Sequence, residues 1–392
     1  MTAMGELVKQ HVIDPEICIR CHSCEAACPI GAIEHDERNV VVKADACNFC
    51  MNCIPVCPTG SIDNWRVVAT PYTLADQYGW DELPAQGAAS QDDAVEATDE
   101  AVAALLAEAH SGAEGASRAP ASAAKPTVNL YTPLNPIEAT VQGNYRLTAE
   151  SSGSDVRHII LTFDGPFPVL EGQTLGIIAP GEDGRPQAPR LYSVSSPRDG
   201  ERAGFHNVSI TIKREPGGLC SNYVCDLGKG DKVKIAGPFG STFLMPDDPQ
   251  ARLLMICTGT GAAPFRAFTM RRQRLPERSG DMTLFFGARA PDSLPYFGPL
   301  NKIPNRVLRK HLVYSRIPGA PKEYVQDRLR VEGEEIAEML GDPRTHVYVC
   351  GLRGMEAGVE QAFVNIAESL GVSWTAMRDA MREDGRYHIE TY

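Results

Sequence analysis

The chain has 392 residues, 43% of them hydrophobic and 22% charged, with 12 cysteines and a net charge of −12. At roughly 150 residues per domain this length points to two or three domains, each able to bury a core. No run approaches about 18 apolar residues, and the opening MTAMGELVKQ has no basic-then-apolar leader pattern. A membrane-spanning or secreted chain is therefore disfavoured, and a cytoplasmic one expected. The negative charge sits early: residues 1–80 carry 5 basic and 10 acidic side chains, whereas residues 127–392 carry 31 of each. A nucleic-acid binder would present a basic patch instead. The acidic third reads either as a solvated surface or as a docking face.

Eight of the cysteines lie between Cys18 and Cys57, in two copies of Cys-x2-Cys-x2-Cys-x3-Cys-Pro offset by 29 residues. Without a leader, such clustering reads as metal binding rather than as disulfides. Zinc sites favour two Cys pairs separated by a longer loop. The spacing found here is the ligand pattern of bacterial two-cluster ferredoxins, in which the fourth Cys of each run serves the other cluster. The expected sets are Cys18, Cys21, Cys24 and Cys57 for one [4Fe–4S] cluster, and Cys47, Cys50, Cys53 and Cys28 for the second. His22 falls inside the first run and reads as a solvent-facing spacer.

Four segments are expected: an iron–sulfur domain over 1–84, an Ala-rich acidic linker over 85–130, a β domain over 131–247 and an α/β domain over 248–392. Residues 85–126 hold 16 Ala; 94–110 could form a short helix, and the flanks read as a tether. Next come short alternating or apolar runs between Gly/Pro turns: 139–150, 156–163, 174–179, 191–195, 208–213 and 232–236. These suggest a small antiparallel barrel. From residue 252 strands at 253–257, 283–286, 312–315 and 347–350 alternate with helices, one after Pro264 and one over 355–370, as in a parallel sheet. The fold class is thus α+β and multidomain: a ferredoxin-like two-cluster domain, an antiparallel β-barrel and an α/β parallel-sheet domain.

Arg190-Leu-Tyr192-Ser193 lies on a barrel strand, and Gly217-Gly218-Leu219-Cys220-Ser221-Asn222 precedes a helix expected to begin near Val224. Glycines ahead of a helix let backbone N–H groups cradle phosphate oxygens. Together these segments, with the loop 180–190, resemble the plant-type ferredoxin–NADP reductase family. The resemblance implies FAD, with Arg190 on its pyrophosphate, Tyr192 stacked on its ring system and Ser193 hydrogen-bonded near the reactive nitrogen. It also implies cofactor contacts from Lys213, Arg214, Gly218, Leu219, Cys220 and Ser221.

Thr258-Gly259-Thr260-Gly261-Ala-Ala-Pro264 follows the apolar strand 253–257. The glycines allow a tight strand-to-helix turn, but Pro264 stands where the usual dinucleotide fingerprint has its third Gly, and no acidic residue follows at the spacing an NAD ribose needs. Both departures fit the reductase resemblance, which implies NADPH. Its 2′-phosphate and adenosine would meet Ser315, Arg316, Lys322, Tyr324 and Gln326, near Ala288 and Arg289; a solvated basic loop is the plain alternative. Cys350-Gly351-Leu352 resembles the turn beside the nicotinamide, with Cys350 aiding hydride transfer. In the terminal Tyr387-His-Ile-Glu390-Thr-Tyr392, Tyr392 would cover the flavin face and Glu390 would contact the nicotinamide region. Cys225 and Cys257 read as buried strand or helix cysteines, and Cys350 has that plainer reading too.

The order of segments (acidic ferredoxin, Ala-rich tether, reductase) is similar to that of reductases serving bacterial benzoyl-CoA oxygenases. That resemblance implies a diiron oxygenase partner that epoxidises benzoyl-CoA, with electrons passing from NADPH through FAD and the two clusters. Alternatives are flow toward NADPH formation, a different acceptor, or a passive carrier. Ser193, Cys350, Glu390 and Tyr392 occurring together argue against the passive carrier. Neither a nucleic acid nor a membrane is expected as a partner.

Overall fold

The computed structural model describes residues 8–16, 18–48, 50, 52–54, 56, 57, 59, 61, 62, 64–68, 70–84, 118–133, 135–181, 188–275, 280–369 and 371–392. The possible helix at 94–110, most of the linker, and most of the loop 180–190 lie outside them. The chain forms two compact units, 1–116 and 117–392. Among the described residues, no helix is long and apolar enough to cross a membrane.

In the first unit, β1 (Val8–Val12) pairs antiparallel with β4 (Asn64–Val68), and β2 (Ile33–His35) with β3 (Val40–Val42). The core is Ile13, Ile33, Val40, Val42 and Ile62 packed around Cys24 and Cys53. Cysteines thus share a small core with a few aliphatic side chains, and metal ligation would add to its folding energy. A helix that sequence periodicity did not show, Leu74–Tyr78, closes the unit. Thr73 and Asp76 cap it reciprocally: the Asp76 N–H donates to Thr73 Oγ1 (3.2 Å) and the Thr73 N–H to Asp76 Oδ2 (2.7 Å). Buried Gln77 then exchanges two hydrogen bonds with the Val42 backbone (2.9 and 3.1 Å), in effect extending the small sheet.

The second unit contains two sheets. The first is antiparallel and six-stranded, in the order β8-β7-β10-β5-β6-β9. These strands are β5 (Ile137–Arg146), β6 (Val156–Phe163), β7 (Thr174–Ile178), β8 (Arg190–Ser193), β9 (Val208–Lys213) and β10 (Lys232–Phe239). A bridge between Val194 and Ile210 brings the two edges together, so the sheet curls into a barrel around Val141, Ile159, Leu161, Leu175, Ile177 and Ile235. The second sheet is parallel, in the order β13-β12-β11-β14-β15. Its strands are β11 (Arg252–Thr258), β12 (Met282–Ala288), β13 (Arg309–Tyr314), β14 (Thr345–Gly351) and β15 (Tyr387–Thr391). Successive crossovers run outward in opposite directions from β11, so the carboxyl ends of β11 and β14 open the crevice where such sheets bind ligands.

Three sequence expectations need correction. The linker does not run to residue 130. From residue 118 the chain lies on the second unit: the Asn129 and Tyr131 N–H groups donate to Pro238 and Gly237 (2.8 and 2.9 Å), and the Asp247 N–H donates to the Ser122 carbonyl (3.3 Å). This segment is held by irregular backbone bonds that leave no periodic trace. The helix expected near Val224 begins five residues earlier, at Leu219, because Gly218 ends the preceding turn without a capping side chain. Pro264 stands third in the helix Ala262–Arg274 rather than first, still within the turn whose N–H groups need no intrahelical partner.

Candidate active site

The eight thiols of the first unit fall into two groups. Burial pushes the Cys24 thiol well above its ordinary range, and the charges nearest it are Cys18, Cys57 and Cys21. Burial likewise pushes Cys53 up to about 11, with Cys47, Cys50 and Cys28 as its neighbouring thiols. The fourth cysteine of each run is therefore beside the other run's first three, as the crossed ligand pattern requires. Burial also works against the Cys57 thiolate, but hydrogen bonds from Ser61 (3.4 Å) and the Ile62 and Thr59 backbone bring its thiol below the usual value. Four converging thiolates repel one another unless a cationic core lies among them, so this donor set fits an iron–sulfur cluster.

In the barrel, β7–β8 pairing sets Tyr192 opposite Leu175 and Arg190 opposite Ile177. The Cys220 thiol, at the start of the helix Leu219–Asp226, lies 3.9 Å from the Ile177 carbonyl and 3.7 Å from the Tyr192 hydroxyl. The Arg190 cation lies close enough to both to act on their ionisation. No side chain caps this helix, so its first-turn N–H groups are available to an anion. Gly217 holds the turn at φ 74, and a Cβ on Gly218 would stand 2.6 Å from Ser221 Oγ. A half-exposed tyrosine, an exposed arginine and an uncapped helix start thus share one patch, which fits a flavin with its pyrophosphate.

Two expected contacts are used otherwise. Arg214 donates to Asp155 (3.0 Å), Asn222 (3.1 Å) and Asp226 (2.7 Å), which ties the end of β9 to that helix. Exposed Lys213 pairs with Glu215. These bonds make Arg214 a brace between the end of β9 and the helix Leu219–Asp226.

At the carboxyl end of β11, residues 259–261 form a tight turn. Gly259 is left-handed (φ 56), and a Cβ on Gly261 would lie 2.2 Å from the Cys350 carbonyl oxygen. The close approach of the two strand ends depends on that missing methyl. Cys350 is fully buried, pairs in register with Cys257 on β11 and Glu390 on β15, and has its thiol pushed well up by burial. Gly351 leaves the strand at φ 141. The Leu352 N–H donates to Thr258 Oγ1 (3.4 Å), and Leu352 itself is exposed. Glu390 keeps a partly exposed surface, yet the protein around it withholds enough water to push its carboxyl up to about 8. The Tyr392 N–H donates to the Gly351 carbonyl (2.9 Å), which lays the chain end over the turn, and the Tyr392 hydroxyl meets Thr260.

Ala288 ends β12 and Arg289 follows it, and Ser315 and Arg316 follow β13. The Ser315 and Arg316 N–H groups donate to the Ala288 and Arg289 carbonyls (3.1 and 2.8 Å), which locks the two strand ends together. Lys322 and Tyr324 are exposed before the helix Val325–Val331. Gln326, in its first turn, packs so near Gly358 that a Cβ there would come 2.9 Å from it. Among the described residues Arg289, Arg316 and Lys322 form no ion pair, so their charges remain available to an anion such as a phosphate.

Sequence reasoning missed the polar clamp between the two sheets. Glu201, before β9, takes a two-pronged bond from Arg266 in the helix Ala262–Arg274 (2.8 and 2.8 Å). It also accepts from Ser209 (2.7 Å) and bonds His158 Nε2 (3.0 Å). His158 Nδ1 in turn meets the Tyr296 hydroxyl (2.9 Å), which also contacts Thr211 (2.6 Å). Arg266 further donates to the Ser195 carbonyl (2.7 Å), two residues after Ser193. Burial alone would raise the Glu201 carboxyl; bonds from His158 and Arg266 instead hold it far below the usual range. The sole sequence signal was an Arg two residues after Pro264.

Residues 17–61 match the 4Fe-4S dicluster domain family, and residues 255–361 the oxidoreductase NAD-binding domain family. The chain is 38% identical over 288 residues to a ferredoxin–NADP reductase of the Cyanophora paradoxa cyanelle, covering 68% of this chain and 79% of that protein. It is 37% identical to the ferredoxin–NADP reductase of Synechocystis, covering 68% and 70%. The solved ferredoxin–NADP+ reductase of Plasmodium falciparum superposes with a TM-score of 0.57 at 26% identity, over 68% of this chain and all of that one. This chain belongs to the ferredoxin–NADP reductase family, as an NADP-dependent oxidoreductase with an added iron–sulfur domain.

Proposed function

We propose that the chain draws electrons from NADPH and delivers them through FAD and two [4Fe–4S] clusters to a separate diiron oxygenase that epoxidises benzoyl-CoA. The observation carrying this reading is the repeated Cys-x2-Cys-x2-Cys-x3-Cys-Pro run, which matches the 4Fe-4S dicluster domain family, on the same chain as a reductase: the enzyme brings its own one-electron carrier. The order of segments supports the choice of oxygenase. A cytoplasmic location follows from that role.

When bound, FAD exchanges a hydride with the nicotinamide and single electrons with iron–sulfur centres, and the protein's task is to hold and time these exchanges. Arg190 and the helix starting at Leu219 hold the pyrophosphate, and the stacked Tyr192 ring fixes the flavin plane. Ser193 presents its hydroxyl to the reacting edge. Arg316 and Lys322, with the Ser315 and Tyr324 hydroxyls, take the 2′-phosphate of NADPH, and Gln326, Ala288 and Arg289 line the same end. Tyr392 shields the flavin face from water and must leave its Thr260 contact when nicotinamide enters. Cys350 packs against the reacting ring beside Glu390, whose carboxyl stays protonated at neutral pH and adds no charge repulsion to the dinucleotide.

Oxygen and NADPH consumption by the purified chain, with and without a diiron oxygenase and benzoyl-CoA, tests the partner. NADPH use that rises only when both are present is expected. Use indifferent to benzoyl-CoA would favour a second reading, supported by kinship with the ferredoxin–NADP reductases: another acceptor, or flow toward NADPH formation.

A further inference from the structure

We infer that His22, Glu25 and His35 form a divalent-cation site of zinc type in the iron–sulfur unit, distinct from the eight thiols. His22 Nδ1 lies 3.4 Å from Glu25 Oε2, and His35 Nδ1 lies 2.7 Å from that same oxygen. One donor atom from each of the three residues falls within a span of 4.8 Å. Tetrahedral zinc, with bonds of about 2.0–2.1 Å, separates its donors by roughly 3.3 Å, so small side-chain rotations close the set around an ion.

His35 Nδ1 hydrogen-bonds the Glu25 carboxylate directly, and His22 points at the same oxygen over a longer distance. His22, expected to face solvent, is half-buried, and its shielded Nδ1 makes no well-formed hydrogen bond. The two imidazole rings stand 4.0 Å apart at 52°, so both present nitrogens to the same small volume beside the carboxylate. A single cation satisfies both ring nitrogens and the carboxylate together. The scaffold is also defined: Glu25 is in the helix Ser23–Ala27, His22 caps that helix at φ 57, and β2–β3 pairing fixes His35 opposite Val40. The left-handed backbone at His22 is a conformation few side chains adopt.

Two imidazoles and a carboxylate suit zinc and its neighbours better than magnesium or calcium, which prefer oxygen donors. The exposed edge of His35 leaves the fourth position to water. The negative balance of residues 1–80 favours a cation here.

The test is equilibrium dialysis of the holoprotein against micromolar zinc chloride, followed by elemental analysis for zinc and iron. About one zinc per chain is expected with iron content unchanged, and tenfold or greater loss of that zinc in His35→Ala and in Glu25→Gln. Iron content and the visible spectrum show whether each variant retains its fold. No zinc retained by the wild-type chain would overturn the proposal. So would zinc that both variants still hold, or zinc gained in step with iron lost, which would place it at the thiols.

Discussion

The two units reach order by different routes. In the second, the parallel sheet alone buries Leu254, Ile256, Phe285, Val347, Val349 and Phe363 in one of its two cores, and the barrel has a core of its own. Its ligand-facing turns are set by strand register and close backbone approach, without help from a cofactor. In the first, cysteines stand where core side chains would, and Cys24 and Cys53 are counted among the buried apolar residues. The parallel sheet of the second unit carries two extended apolar cores, whereas the core of the first unit is built largely around cysteines, so removal of metal should disturb the first far more.

The largest test of that contrast is iron removal. Chelation should abolish hydrogen-exchange protection throughout residues 8–84 and leave protection of β11 and β14 intact. Equal loss in both units would erase the distinction.

A smaller effect is expected inside the second unit. Glu201→Gln leaves half-buried Arg266 without its countercharge and should cost about 1.5–3 kcal/mol, read as a lowered denaturant midpoint. The pH sign follows from the depressed carboxyl. Its stabilisation is complete above the unfolded value, near 4.3, and drains away as pH falls toward the lower folded value. The variant should therefore lose less stability than wild type on acidification below about pH 4.

Cys350→Ser should slow flavin reduction by NADPH about tenfold or more in stopped flow, with flavin still bound. Normal rates would reduce Cys350 to a packing residue.

How much of this was legible beforehand differs between the units as well. The cysteine spacing of the first unit is written into consecutive residues, so the iron–sulfur domain could be named from the repeat. Alternation revealed β6 and β9, and the Gly259–Gly261 turn declared itself because few residues other than Gly tolerate such an approach. The clamp of His158, Glu201, Arg266 and Tyr296 joins positions up to 138 residues apart, and no local pattern encodes it. The helix Trp374–Glu383 is mainly polar, with only Trp374 and Met381 buried, so its apolar stripe is too thin to read. β15 hides in a short terminal run whose strand character comes from β14.

The smaller effects concern the dinucleotide. Arg316→Ala and Lys322→Ala should each raise the KM for NADPH by roughly tenfold, the equivalent of about 1.4 kcal/mol, with little change for NADH. An equal loss for both coenzymes would return these residues to the solvated surface. Smallest is the effect of pH on Glu390. NADPH binding should weaken a few-fold as pH rises through about 8 and the carboxyl ionises. In Glu390→Gln that dependence should flatten.

The account depends most on electrons moving from nicotinamide to iron within one chain. Anaerobic NADPH added to the purified holoprotein, frozen within seconds and examined by electron paramagnetic resonance, should give the signal of reduced [4Fe–4S] centres as the flavin band bleaches. Bleaching with no iron–sulfur signal, even at excess NADPH, would contradict it.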